Sequence, residues 1–462
     1  MVWVDLALYV ATAWISAEIC FYMVYRFKWL PNLRALNFHN PEIRDPHDMI
    51  RRMATSMKIL EAQGAYSIEK FIVGWNRGAK SIDDIRVNNV KSFLSWAFFN
   101  MSLTQALNND EKREMLAQCY EKLEEAFPET MSKIKVGYNE KLVHAAMCLE
   151  YNYPVLHRPL ALYFVIKLID LWSNLVFLRG FGFTKYQYSI DSRSISNQKN
   201  SYDKITYWMR EHHVEKGQVA KPPMVYFHGI SHGWWSYAMM IDSLSPDRTV
   251  ILIDLDNIKV ASLNFDAPPP QVYSDGVHGI LEKHGIKKCS IVGHSFGSIT
   301  ATWFMRYYPK FIDHLILIDP VALIICVPDV CNNFLYRNPS TVMEWVICIF
   351  AALEVTISHT LFRNFTWHEN CFWFEDVPDN VATSIVLAGK DEILNGPVLR
   401  TYCEHYNSPK ENEKSSKDTS TAPRSVLYFE DYGHGQACLT SSTLNQVAEL
   451  VQSADLELYK KF

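Results

Sequence analysis

From about residue 184 onward, short β-branched runs alternate with amphipathic segments of helix length, and this alternation restricts the fold more than any other feature of the chain. The runs are "MVYFHGI", "TVILIDL", "CSIVGHS", "HLILIDP", "TSIVLAGKD" and "SVLYFED". They are apolar on both faces, as strands of a parallel sheet covered by helices on both sides must be. The expected fold class is therefore α/β. Two stretches break the rhythm. Residues 320–382 form a long insertion between two strands, rich in Trp345, Phe350, Phe362, Trp367, Phe372 and Trp373. Residues 405–423, "HYNSPKENEKSSKDTSTAP", are polar and read as a surface loop.

The part of the chain before residue 184 follows a helical period. In "SIDDIRVNNVKSFLSWAFF", Ser81 and Asp84 stand in a capping-box arrangement. Ile82, Ile85, Val90, Phe93, Leu94, Ala97 and Phe98 then form a stripe at 3.6-residue spacing. "NNDEKREMLAQCYEKLEEAF" continues with a solvated charged face. No cofactor motif occurs here, and no chemistry is assigned to the region. The resulting division is a membrane anchor at 1–30, a helical N-terminal region at 31–183, and an α/β domain at 184–462 with a cap insertion at 320–382.

Residues 6–25, "LALYVATAWISAEICFYMVY", are apolar over a length that crosses a bilayer as a helix. Arg26, Lys28 and Arg34 follow, and no basic residue precedes, which is the reverse of a secretory signal. By the positive-inside rule the rest of the chain stays in the cytosol; the membrane expected is that of the endoplasmic reticulum or a lipid droplet. Glu18 counts against a simple span, because an intramembrane carboxylate is costly unless paired. A second apolar segment, Pro159 to Phe183, is interrupted by Lys167 and Asp170, which could pair at i,i+3 spacing. It reads as a helix lying in the membrane plane or packed on the domain, rather than as a span. The sequons at Asn100 and Asn364 are taken as chance matches.

The chemistry is signalled by "IVGHSFGSIT". Ser295 lies in G-x-S-x-G directly after a β-branched run and before a helix-compatible one, the context of a nucleophile elbow. Serine needs a base to take its proton. His434, in "FEDYGHGQA" after the last strand, is the candidate, with glycines on either side. A carboxylate must then hold the imidazole tautomer. Asp391, in "LAGKDEIL" at the end of the preceding strand, is best placed, with Glu392, Asp431 and Asp319 as competitors. An early strand ends in "YFHGISHGWW", where His228-Gly229 opens a turn. By position, the amides of Ile230 and Phe296 would form the oxyanion hole.

With these residues in place, 184–462 resembles the α/β-hydrolase superfamily, through "FHGI", "GHSFGS", "GKDEI" and "YGHG" and the chain order Ser, Asp, His. The resemblance implies a mostly parallel eight-stranded sheet, a Ser-His-Asp mechanism and a cap at 320–382. Epoxide hydrolases and haloalkane dehalogenases of this fold use Asp as nucleophile, so Ser295 argues against both, while an aromatic cap with a membrane anchor favours lipid esters. A lipid acyltransferase shares the acyl-enzyme. The H-x-x-x-x-D match of His314 and Asp319 lies on a strand, where positions five apart point to opposite faces, and is set aside. A catalytically inactive scaffold is disfavoured by the complete set of elements.

Composition narrows the partners. A formal net charge of -5 does not suit a nucleic-acid binder. The 13% aromatic content suits apolar ligands or membrane contact. The ten cysteines lack any C-x-x-C pair, so neither a metal site nor a disulfide framework is expected. No cofactor is called for. The expected partners are a lipid ester substrate and the bilayer itself.

Overall fold

In the computed structural model, residues 2–35, 43, 45–190, 202–213, 221–407 and 422–459 are described. Eight strands form one sheet: β1 (Thr184–Ser189), β2 (Lys204–Arg210), β3 (Met224–Phe227), β4 (Val250–Ile253), β5 (Cys289–His294), β6 (Ile312–Ile318), β7 (Ala382–Ala388) and β8 (Arg424–Phe429). Their order across the sheet is β8-β7-β6-β5-β3-β4-β2-β1. Only the β1–β2 and β2–β4 pairings are antiparallel. Strands β3, β4 and β7 are buried at every position, which is why their sequences carry no polar alternation. The edge hairpin β1–β2 was not among the six runs read from sequence. Strand β1 is "TKYQYS", half exposed, with Tyr186 and Tyr188 turned inward between polar neighbours.

The helices that matter for the site are α1 (Val2–Val24), α2 (Val87–Phe99), α3 (Leu160–Trp172), α4 (Gly297–Tyr307), α5 (Val342–Ala352) and α6 (Val355–Arg363). Helix α2 begins later than the sequence suggested. Residues Ile82–Asp84 form a separate short turn in which the Ser81 side chain caps nothing, and Asp84 instead accepts from the Lys80 amide at 2.8 Å. The physical reason lies across the fold. Val87 and Asn88 donate their amides to the carbonyls of Lys135 and Gly137 at 3.1 Å each, which pulls Arg86 into an extended conformation and restarts the helix after it. The seven stripe residues are nonetheless all buried.

The N-terminal helical region shares one apolar core with the sheet, running from Ile50 to Cys403. Three indoles bolt it to the cap and to itself. Trp75 Nε1 donates to the Cys326 carbonyl at 2.9 Å, Trp367 Nε1 to Ala97 at 2.6 Å, and Trp96 Nε1 to Met147 at 2.7 Å. Each buried ring contributes roughly 1.5–3 kcal/mol through removal from water, and its polar N–H is satisfied in place.

Helix α1 continues through a wider turn to Ala35, giving 33 helical residues. Its outer surface is bare, with Trp3 at 82% and Val10 at 63% exposure. Among the described residues, two helices are long and apolar enough to cross a membrane, Trp3–Ala35 and Leu160–Leu178. Glu18 is not a stray charge. Its carboxylate accepts the amides of Leu160 at 2.7 Å and Ala161 at 2.9 Å, capping the start of α3. Lys167 and Asp170 do not pair with each other. Both line a polar cavity with Asp254, Asp256 and Lys259, while Phe164, Leu168 and Trp172 on the opposite side are exposed. The polar stretch expected at 405–423 falls largely at 408–421, outside the described residues.

Candidate active site

Ser295 sits where β5 turns into α4, with φ of 53°. A serine held there is strained, at a cost of order 1–3 kcal/mol, and the surroundings enforce it. The Ser295 amide donates to the Ile318 carbonyl at 3.0 Å. A Cβ on Gly297 would collide with the Phe227 carbonyl, so only glycine lets the helix start this close to β3. The pentapeptide is thus an elbow in geometry as well as in spelling.

The three residues read as nucleophile, base and acid meet at the ends of three different elements. His434 Nε2 lies 2.9 Å from Ser295 Oγ, and His434 Nδ1 lies 2.7 Å from Asp391 Oδ2. The other Asp391 oxygen accepts the amides of Ile393 at 2.7 Å and Leu394 at 2.8 Å, which fixes the carboxylate. Burial alone would lower the His434 pKa. The Asp391 carboxylate outweighs burial and, helped by Asp319 and Glu392, raises it to about 9.

The competing acids have other positions. Asp431 is on the surface, paired with Lys390 at 2.6 Å. Glu392 accepts the His434 backbone amide at 2.9 Å and so holds the histidine loop. Asp319 is fully buried, has φ of 43°, and accepts one amide with each oxygen: Ala388 at 2.9 Å and Gly435 at 2.8 Å. It ties the strand that precedes Asp391 to the loop that carries His434. Ligand atoms of Asp319, Asp391 and His434 all lie within 4.8 Å of one another. Burial, then the Asp391 charge, raises the Asp319 carboxyl to about 7. His314 points away from this cluster. Its ring meets Asp455 at 3.0 Å and Ser384 at 2.9 Å, so it shares no site with Asp319.

The turn after β3 is locked to the elbow. Leu255 donates its amide to His228 Nε2 at 3.0 Å, so the proton is on Nδ1, which donates to the Gly229 carbonyl at 2.7 Å. Burial lowers the His228 pKa to about 4, in keeping with that neutral tautomer. The Gly229 amide donates to Tyr237 Oη at 2.8 Å, and the Tyr237 hydroxyl lies 3.1 Å from His294 Nδ1. Burial, then His434, lowers His294 to about 3, leaving its Nδ1 free to accept. The sequence reading missed this bridge, whose only trace is Tyr237 eight residues beyond the glycine. Gly229 is thereby committed, whereas the amides of Ile230 and Phe296 have no hydrogen-bond partner among the described residues. Both residues border Ser295 in the same cavity.

That cavity, with about 630 Å³ of empty volume, is walled almost entirely by carbon. Its walls come from three places. Ile299 and Ile393 belong to the sheet-and-helix body of the α/β domain; Val321, Phe334, Leu361 and Phe365 belong to the cap; Trp75 and Met147 come from the N-terminal helical region. Of the aromatic residues singled out in the cap, Phe362, Trp367, Phe372 and Trp373 are buried, while Trp345 and Phe350 face outward. All ten cysteines are free thiols.

Residues 222–344 match the family described as the alpha/beta hydrolase fold. Over 140 residues the chain is 31% identical to the Caenorhabditis elegans abhydrolase domain-containing protein abhd-5.2, covering 29% of this chain and 31% of that protein. It is 27% identical to mouse epoxide hydrolase 4 over 139 residues, covering 29% of this chain and 36% of the relative. It is 33% identical to the mouse (lyso)-N-acylphosphatidylethanolamine lipase over 111 residues, covering 23% and 32%. The chain thus spans about a third of the length of the curated relatives it matches.

Proposed function

We propose that this chain, which carries an alpha/beta hydrolase domain, is a membrane-associated serine hydrolase that cleaves carboxylic esters of lipids through an acyl-enzyme. The observation that supports this most is the conjunction of a hydrogen-bonded Ser295–His434–Asp391 chain with a carbon-walled cavity bordered by Ser295. In the proposed reaction, Ser295 Oγ attacks the ester carbonyl as His434 Nε2 takes its proton. Asp391 stabilises the imidazolium, and the amides of Ile230 and Phe296 receive the developing oxyanion. The imidazolium then protonates the leaving alcohol. Water repeats the sequence on the acyl-enzyme and returns Ser295.

The apolar walls suit an acyl chain, since each methylene removed from water contributes about 0.8 kcal/mol. Helix α1 serves as the anchor, and Arg26, Lys28 and Arg34 after it put the catalytic domain on the cytosolic side. Transfer to an alcohol instead of water uses the same acyl-enzyme and differs only in the acceptor.

The test is activity-based. Ser295→Ala should abolish both fluorophosphonate labelling and ester cleavage while leaving the circular dichroism spectrum intact. Labelling that persists at another serine would remove the nucleophile assignment. A glycan on Asn100 or Asn364 of protein made in eukaryotic cells would reverse the proposed orientation.

A further inference from the structure

Helix α5 turns apolar side chains outward although it belongs to the cap. Val342 is 82% exposed and Trp345 51%, and Met343, Val346 and Phe350 are exposed beside them. After a 75° bend, α6 is buried along its length and carries Ser358, His359 and Arg363. The bent pair is therefore not a span, and α5 alone, at ~1.5 Å per residue, reaches only about 16 Å, half of a hydrocarbon core.

The position of α5 relative to the anchor is fixed by direct contacts. Tyr25, Leu30 and Leu33, at the end of the N-terminal helix, form one buried cluster with Val355 at the start of α6. Leu156 donates its amide to the Leu353 carbonyl at 2.9 Å, and the Arg158 guanidinium lies 5.6 Å from the Phe350 ring centroid. Two and three residues further on, Leu160 and Ala161 meet Glu18. One short stretch of chain thus touches α5 at one end and the middle of α1 at the other. Helix α5 consequently lies beside the last turns of α1, at the end followed by Arg26 and Lys28.

We infer that Val342–Ala352 is seated in the bilayer leaflet at which α1 ends, as a second, half-depth membrane contact made by the cap. A lipid surface fits better than a protein partner. The exposed residues of α5 lie beside α1, whose residues 3–16 are bare on every face, and a protein would cover one face only. The segment is joined to the catalytic cavity at both ends. Phe334 and Leu335 precede it, Leu361 and Phe365 follow it, and all four are cavity walls. An ester entering from the leaflet at α5 would meet these walls first. The inference rests on the proposed anchoring by α1, and the experiment separates the two.

The full chain, with Cys20 and Cys348 replaced by Ser, is reconstituted in phosphatidylcholine/phosphatidylserine vesicles. A nitroxide is attached after Val346→Cys, and in parallel after Val10→Cys on α1 and Val136→Cys on the N-terminal region. Relaxation by oxygen against a water-soluble nickel chelate should report lipid at 346 and 10, and water at 136. Water at 346 with lipid at 10 overturns the inference and leaves the anchor standing. Water at 10 overturns the anchor, and the inference with it. Trp345→Glu combined with Val346→Glu should lower cleavage of a long-chain ester in vesicles about tenfold, because charge is costly in lipid. Cleavage of a short soluble ester should stay near wild type. Equal loss on both esters, or on neither, counts against the inference.

Discussion

Replacing Asp319 with Asn measures how far a second carboxylate sets the working pH of His434. The two groups lie within 4.8 Å of each other. At an effective dielectric of ~20, a unit charge at that distance is worth about 3.5 kcal/mol, equivalent to about 2.5 pH units. Asp319 titrates at about 7, so above neutrality its full charge acts on the imidazole. An anion beside the ring favours the protonated form. Its removal therefore lowers the histidine pKa from about 9 and extends the free base to lower pH. The acidic limb of kcat/KM, which reports the free enzyme, should move down by about 1–2.5 pH units. Asn tolerates the left-handed backbone at this position, but its amide can accept only one of the two N–H groups, from Ala388 and Gly435, that the carboxylate now satisfies. A stability loss of about 1–3 kcal/mol should accompany the shift. The assay is kcat/KM against pH on a short soluble ester, with thermal melts alongside. An unmoved or raised midpoint would refute the electrostatic argument. Asp391→Asn provides the contrast, since loss of tautomer control should cost several orders of magnitude in kcat at every pH.

Two further outcomes follow from packing around the serine. Gly229→Ala would place a Cβ 2.8 Å from Ser295 Cβ and 3.0 Å from the His294 carbonyl, closer than carbon tolerates. It should lower kcat about 100-fold with a near-native circular dichroism spectrum, by moving the proposed nucleophile against the amides of Ile230 and Phe296; wild-type kcat would show that the turn yields at no cost. Leu361→Trp adds bulk to the cap wall of the cavity. The ratio of kcat/KM for a long-chain over a short-chain ester should fall at least about tenfold, and an unchanged ratio would place the acyl chain elsewhere.

The sheet interior and the three residues of the hydrogen-bonded chain were legible because their signals are local. Strands β3 to β8 are short apolar runs, and Ser295, Asp391 and His434 each follow one of them. Strand β1 was not legible as a strand, because a half-wet edge carries polar residues that resemble a loop, and β2, its inner neighbour, was missed with it. The start of α2 was misplaced for a different reason. Ser81 and Asp84 satisfy the spacing of a capping box, but the backbone of Val87 and Asn88 is claimed by residues about 50 positions away. The spacing of Lys167 and Asp170 allows a pair because it shows only neighbours on the same helix, whereas their surroundings are charges on a distant loop. The cavity walls from Trp75 and Met147 escaped for the same cause: nothing in a helical stripe tells which part of the core it faces.

The cap formed by Glu18 on α3 has a bearing on how the chain is made. Its two partners, Leu160 and Ala161, lie 142 and 143 residues later. At roughly 5–20 residues per second of synthesis, about 7–30 s pass before they leave the ribosome. Through that interval Glu18 lacks both amides, and on the proposed anchoring by α1 a centrally placed carboxylate costs about 2.5–3.5 kcal/mol in lipid. On the proposed anchoring by α1, Glu18 gains these two partners only once the start of α3 has been made. Helix α1 is matched to the start of α3, and an unrelated helix grafted in its place would leave two amides of α3 bare.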